Sequence, residues 1–438
     1  MKISILTHGS RGDVQPFLAL AVGLQKAGHS VLLAAPYRFA NFIEQYNVSF
    51  AALPGNPEQL SALFNNAGQN PFRVIRSLSQ YVFEIAPDVI RVAVAACADA
   101  ECIIHSFLFT AGGYTIACQH GVPDISIQTF PIFAPTTAFP NVAVAKLPPG
   151  WLSYTSHWFF DHVFRYGGNS GYARIRRAHP DLPLSPTVLW PFTPSPARPH
   201  TPLLFAFSQS VIPPPPEWQK LPHLHIPGYL FLEDNSYQPP QLLTDFLAGG
   251  RAPVCITFGS MINRDMEHIR TIVLEALQRT HQRAIILTGW GEWGISSTTK
   301  ADILTLESAS HEWLFPRCKL VIHHGGAGTT AAALRSGVPS LVIPLAGDQL
   351  FWAKRVDFLG VGPASITLKR LSAEKLAQAL IEADSPAFRV QAEKMGVILR
   401  SENGVGTSVR LIEEHARRFK IKIPISNLKD SKLGVRIP

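Results

Sequence analysis

The sequence predicts an α/β fold of two doubly wound, Rossmann-like domains that face each other across a cleft. Three observations predict it. Short apolar runs alternate with helical stretches in both halves of the chain, the rhythm of strand–helix–strand units in a parallel sheet. A length of 438 residues exceeds one core and suits two domains of roughly 200 residues each. Three helical stretches stop at a glycine (Gly28, Gly337 and Gly360), the residue suited to a left-handed C-terminal stop.

The first half opens with the strand "ISILT" (Ile3 to Thr7), a glycine-bearing turn, and a helix from about Pro16 to Ala27. Proline suits a first helical turn because its missing N–H would find no partner there. The strand "VLLAA" and the helix "FANFIEQY" follow, then "CIIHS", the helix-like "AGGYTIACQHG" and the strand "ISIQT". The second half repeats the pattern from "VCITFGS". A helix in "EHIRTIVLEALQRT" sets Ile269, Ile272, Val273, Ala276 and Leu277 on one face. The strands "AIILT", "LVIHH" and "LVIPL" alternate with an alanine-rich helix and with "QLFWAKRVDFLG". Between the halves, four consecutive prolines in "VIPPPPEWQK" read as a stiff, extended connector.

Hydrophobic residues make up 46% of the chain and charged ones 16%, which places it among globular proteins. The net charge of +8 favours anionic ligands or surfaces. Its five cysteines are scattered without C-x-x-C spacing, so reduced thiols and a cytoplasmic location are expected. No apolar stretch reaches the roughly 18 residues of a membrane span. Nucleic-acid binding is not expected, because the basic residues form no long run interleaved with aromatics.

"VIHHGGAGTTAAALRSGVPS" (Val321 to Ser340) concentrates glycines between a strand and a helix. Unpaired amides and the positive dipole end meet at a helix start, and glycine lets a ligand approach the backbone. The turn is therefore read as an anion site, most simply for phosphate. It is neither a P-loop nor a dinucleotide fingerprint. His323, at the strand end, is placed to donate to a phosphate oxygen, and a tight turn with packed histidines is the structural alternative. The pair His323–His324 does not read as a zinc site, since neighbours on a strand point to opposite faces.

"HHGGAGTT", continuing into "GVPSLVIPLAGDQLFWAKRV", resembles the donor-binding signature of the UDP-glycosyltransferases, in the branch of sterol 3-beta-glucosyltransferases and glycopeptide-antibiotic glycosyltransferases. "THGSRGDVQPFLALAVGLQKAGH" resembles the same branch near the amino terminus. The likeness runs from Met1 to about Arg418. It implies the GT-B fold and an inverting, metal-independent hexosyl transfer from a UDP-sugar to a hydrophobic acceptor, with a sterol-like lipid leading. A polyketide, carotenoid or glycopeptide aglycone with a UDP- or dTDP-sugar is the alternative. No cofactor beyond the donor is implied. Residues 1–228 become the acceptor-binding domain with a proline-rich linker at its end, 229–403 the nucleotide-sugar domain, and 404–438 a helix and basic tail packing back on the first domain.

Transfer to a hydroxyl needs a base, and the resemblance offers Asp13 where plant relatives carry histidine in G-H-x-x-P. Capping of the following helix is the structural alternative for Asp13, and His8 is a rival base. Ser10, Arg11 and Gly12 of the same loop are expected among the residues that bind the donor. His323, Gly325, Gly326, Ala327, Gly328 and Thr329 are expected to hold the diphosphate, with Gly259 and Ser260 of "FGS" opposite. By resemblance Asp348 and Gln349 meet the sugar hydroxyls, while Ser310 and His311 cradle the base near Trp313. Ala331 replaces a ribose-binding glutamate of plant enzymes. Trp151, Tyr154, Trp158, Phe159, Phe160 and Phe164 are candidates for an apolar acceptor pocket, and Arg165, Arg174, Arg176 and Arg177 for peripheral contact with anionic lipid. A buried helix with a solvated basic end accounts for the same segment. An oxidoreductase and a non-catalytic binding protein are the rival classes; the retained Asp13 and Asp348–Gln349 weigh against the second.

Overall fold

The computed structural model describes residues 1–56, 63, 71–192, 199–233, 237–259, 266–289, 299–300 and 302–422. Two parallel sheets organise it. The first contains β1 (Lys2–Leu6), β2 (Ser30–Pro36), β3 (Ser49–Leu53), β4 (Cys102–His105), β5 (Asp124–Gln128), β6 (Leu203–Phe205) and β7 (Leu224–His225). Their spatial order is β3-β2-β1-β4-β5-β6-β7. The second contains β8 (Val254–Thr257), β9 (Ala284–Leu287), β10 (Thr299–Lys300), β11 (Ile303–Leu306), β12 (Leu320–His323) and β13 (Ser340–Val342). Here the order is β10-β11-β9-β8-β12-β13, with β10 antiparallel at the edge.

Both sheets reverse direction beside their first strand, between β1 and β4 in one and between β8 and β12 in the other. Ligands of doubly wound sheets bind beyond the strand ends at such a switch point. Ile5 pairs with Leu33 on one side and Ile104 on the other, and all three are fully buried. Strands covered on both faces must be apolar on both, which is why they read as continuous runs.

Two expectations are corrected. The first helix begins at Arg11, not Pro16. Ser10 precedes it and Asp13 occupies the third helical position, so the capping chemistry starts the helix five residues earlier and Pro16 falls inside it. The proline tract is not an interdomain connector either. It leads into a short helix, Pro216–Gln219, and then into β7 of the first sheet. Trp218 in that helix is buried and donates from Nε1 to the Ala134 carbonyl at 2.9 Å, so the segment is locked within the N-terminal core.

The chain crosses to the second sheet after Gly228 and returns at Gly404. A Cβ on Gly404 would lie 2.1 Å from the Tyr229 carbonyl oxygen, so the two crossings run side by side. The final helix, Gly404–Lys422, lies along the first helix, with Val409 and Ile412 in the same core as Leu20 and Leu24.

Candidate active site

A cavity of about 1350 Å³ lies between the two sheets, at the C-terminal ends of their strands. That exceeds the roughly 300–1,000 Å³ of a pocket for one small ligand and leaves room for two substrates. The loops after β1, β4 and β5 supply one wall, and those after β8, β11, β12 and β13 the other.

Asp13 sits on the first wall. Its Oδ2 accepts the Ser10 amide at 2.8 Å and the Ser10 hydroxyl at 3.0 Å, while the Thr7 hydroxyl donates to its backbone carbonyl at 2.8 Å. Burial raises the carboxyl above its ordinary value, and the two Ser10 hydrogen bonds pull the other way. The carboxylate thus caps its helix and faces the cavity at once. Arg11 lines the cavity with its guanidinium over the Phe42 ring, 4.6 Å from the centroid, and donates to Gln15. His8 also lines it, but its Nε2 is engaged with the Pro54 carbonyl at 2.9 Å and burial lowers its pKa. Its second nitrogen, Nδ1, has no partner among the described residues.

The glycine turn stands opposite. The helix Ala327–Ser336 starts after Gly326 with no side-chain cap, and its first backbone bond runs from the Thr330 amide to Gly326. The amides of Ala327, Gly328 and Thr329 therefore have no helical acceptor, and all three residues line the cavity. A Cβ on Gly328 would come 3.9 Å from the Gly12 Cα, so the first helix and this helix start approach each other across the cavity.

The parity of the histidine pair differs from expectation. His324, not His323, lines the cavity. His323 is enclosed beneath the turn, where Nδ1 accepts the Gly325 amide at 3.2 Å. That bond places its proton on Nε2, a buried donor with no partner among the described residues. Gly325 lies behind the wall as well, at φ +88 against Val342 and Gln349. Gly259 and Gly326 enclose the His324 ring: added Cβ atoms would stand 2.9 Å and 2.5 Å from it. Burial lowers His311 and His323 to about 3 and His324 to about 4. All three are neutral donors or acceptors near neutral pH, and an incoming anion would favour their protonation.

Asp348 reaches the cavity beside this turn, its Oδ2 accepting the Trp352 indole N–H at 2.8 Å. Burial raises it to about 6, nearby Asp13 adds to the rise, and the indole opposes it. Gln349 lines the cavity too, although its Oε1 already accepts the amides of Leu345 and Ala346 at 2.8 and 3.0 Å. It holds the loop that presents Asp348. Ser310 caps a short helix by accepting the Trp313 amide at 3.4 Å, and His311 stacks on Phe315 with centroids 4.4 Å apart. Both line the cavity, as do Gly259 and Ala331. Ser260 lies outside the described residues. Among the described residues no three His, Cys, Asp or Glu side chains converge as metal ligands would.

The remaining wall is apolar. Phe107 packs edge-on to Phe130 and Phe164 with centroids 5.3 and 5.0 Å apart, and Ile132, Val142 and Phe160 extend it. Of the six aromatics expected here only Phe160 and Phe164 take part; Trp151, Tyr154, Trp158 and Phe159 point to solvent. Sequence reasoning missed His324, Phe107 and Ile132. The strand-end position of the histidine pair was the available signal for the first, and the other two carried none.

Two doubly wound domains share one cleft, with a carboxylate on one wall and an uncapped helix start on the other, and this is the GT-B architecture. Solved structures agree in fold: the glycosyltransferase of kitacinnamycin matches with a TM-score of 0.66 at 18% identity, covering 95% of this chain and 99% of that one. The calicheamicin glycosyltransferase CalG4 matches with a TM-score of 0.64 at 14% identity, covering 95% and 98%. Residues 3–139 match the glycosyltransferase family 28 N-terminal domain, and residues 302–403 the erythromycin biosynthesis protein CIII-like C-terminal domain. The sterol 3-beta-glucosyltransferase UGT80B1 of Arabidopsis thaliana is 33% identical over 426 residues, which are 95% of this chain and 68% of that protein. The chain belongs to the glycosyltransferase family that contains these sterol 3-beta-glucosyltransferases. A sterol 3-beta-glucosyltransferase of Neurospora crassa is also 33% identical, and there the match spans only 27% of the longer protein.

Proposed function

We propose that this protein transfers glucose, or a closely similar hexose, from a UDP-sugar to the hydroxyl of a sterol or sterol-like lipid, with inversion at the anomeric carbon. The observation that carries the reading is one cavity lined at once by phenylalanines, by the uncapped start of the helix Ala327–Ser336 and by the Asp13 carboxylate. The sterol 3-beta-glucosyltransferases among its relatives support the same acceptor class.

In this reading the diphosphate docks at the amides of Ala327, Gly328 and Thr329, where the helix dipole and fixed donors meet the charge that grows as UDP departs. His324 is a further donor at that end. Asp348 orients the hexose through its hydroxyls. The acceptor hydroxyl lies against Asp13, which takes its proton while the oxygen bonds to the anomeric carbon and the bond to UDP breaks. Positioned base catalysis of this kind contributes about 10²–10⁴-fold. No step calls on a metal, since the charge of UDP falls on backbone amides. Peripheral contact with a membrane belongs to the same reading.

The test is UDP release from UDP-glucose by the purified protein with detergent-dispersed sterol, alongside Asp13→Asn. Release that needs the sterol, yields a sterol glycoside by mass and collapses in the variant is the expected result. UDP binding without release, across sterols and natural-product aglycones, overturns the assignment.

A further inference from the structure

The helix Trp151–His162 with its continuation Val163–Gly167 is inverted in polarity. Its buried side chains are Ser153, Ser156, His157 and Phe160, while Trp151 is 72% exposed, Trp158 55%, and Tyr154, Phe159 and Tyr166 are exposed as well. Each inner polar side chain makes at least one hydrogen bond. Ser153 donates to the Pro148 carbonyl at 2.8 Å, Ser156 accepts the Asn141 amide at 3.0 Å, and His157 Nε2 meets the Phe139 carbonyl at 3.0 Å. The outer rings are ordered too: Trp158 lies 4.0 Å from His162, which lies 5.6 Å from Tyr166. Residues 151, 154, 158, 162 and 166 form one line along the helix. A water-facing surface has no use for such a stripe.

We propose that this stripe is a membrane-docking surface, which rests on an anionic bilayer and passes the lipid acceptor into the cavity along Phe160 and Phe164; the idea rests on the lipid-acceptor reading above. Three observations choose a bilayer over another occupant. Tryptophan and tyrosine, apolar bodies with polar tips, are the residues that settle at the headgroup level. From Trp151 to Arg177 the chain has one carboxylate, Asp161, against four arginines. Arg176 is spent on the Leu182 and Leu184 carbonyls, whereas Arg165 lies over the Tyr166 ring and Arg174 and Arg177 are exposed, the charge that anionic headgroups attract. A second copy would bring like charges together. Finally, the helix that turns the stripe outward reaches the cavity with other side chains, since Phe160 and Phe164 line it.

The experiment is co-sedimentation of the full-length protein with phosphatidylcholine vesicles and with phosphatidylcholine–phosphatidylglycerol vesicles, for the wild type and a Trp151→Ser/Trp158→Ser double variant. We expect salt-sensitive binding to the mixed vesicles that drops about tenfold or more in the variant. UDP affinity, measured as a check on folding, stays unchanged because neither tryptophan lines the cavity. Equal vesicle binding by both proteins, or none by either, overturns the proposal, as does a dimer that the double variant dissociates in the absence of vesicle binding. Turnover of detergent-dispersed sterol separates the two readings. Turnover without vesicle binding sinks the docking surface alone. Vesicle binding without sterol turnover keeps the surface and moves the acceptor to another membrane lipid.

Discussion

A Cβ built on Gly9 would fall 2.3 Å from Oδ2 of Asp13, so the carboxylate occupies the space of the side chain that glycine lacks. Gly9 also holds φ at +137, a conformation that other residues rarely adopt. Gly9→Ala therefore moves the carboxylate proposed as base without removing it. Transfer measured as kcat/KM is expected to fall about 10²-fold, the cost of an ångström-scale misplacement. UDP affinity, set on the other wall, should hold. An unchanged kcat/KM would remove Asp13 geometry from the mechanism.

Ser10→Ala tests the same carboxylate electrostatically. The hydroxyl bond to Oδ2 favours the ionised form, so its loss raises the Asp13 pKa further. A base acts ionised, and the acid limb of the kcat/KM–pH profile moves to higher pH. Weakened capping costs about 1 kcal/mol in denaturant unfolding. A limb that stays in place would argue that another group is the base.

Asp348 carries a stability cost with a defined sign. Its pKa is raised to about 6 by burial, so between the unfolded value near about 4 and the folded one the native state binds the extra proton, and stability falls as pH rises through that window. Asp348→Asn keeps an acceptor for the Trp352 indole and removes the charge. It is expected to gain on the order of 1–2 kcal/mol at about pH 8, with no gain at about pH 4, while losing use of the donor sugar. Thermal unfolding at the two pH values decides it; a variant less stable at both contradicts the burial account.

Gly326→Ala would place a methyl 2.5 Å from Nε2 of His324. Gly259 also packs close to this ring, where its own Cβ would stand 2.9 Å from Cε1. UDP affinity by calorimetry should drop about tenfold or more as the turn is forced off the anion. Gly112→Ala meets nothing within 4 Å and should bind UDP like the wild type. Equal affinity in both variants would relocate the diphosphate.

Strands buried on both faces announced themselves, which is why β1, β2, β4, β5, β8, β9, β12 and β13 were readable. β7 was not: its two residues, Leu224 and His225, follow a proline run and gain their meaning only from pairing with Leu203 and Leu204. Pro16 misled because proline usually opens a helix, whereas the Ser10–Asp13 pair opened this one earlier. For the site, the residue types were legible and their facing was not. Adjacent histidines must point apart, yet only the turn beyond β12 decides that His324 meets the cavity. The helix at Trp151 shows the same limit in stronger form, since burial normally assigns its aromatics inward and its serines outward.

The return of the final helix to the first one has a consequence for biosynthesis. Val409 and Ile412 share a core with Leu20 and Leu24, so the N-terminal domain lacks part of its interior until residues 404–422 have left the ribosome. The domain made first is the last to be completed. Until then its first helix exposes an apolar seam, and the growing chain carries that seam through synthesis of the entire second domain.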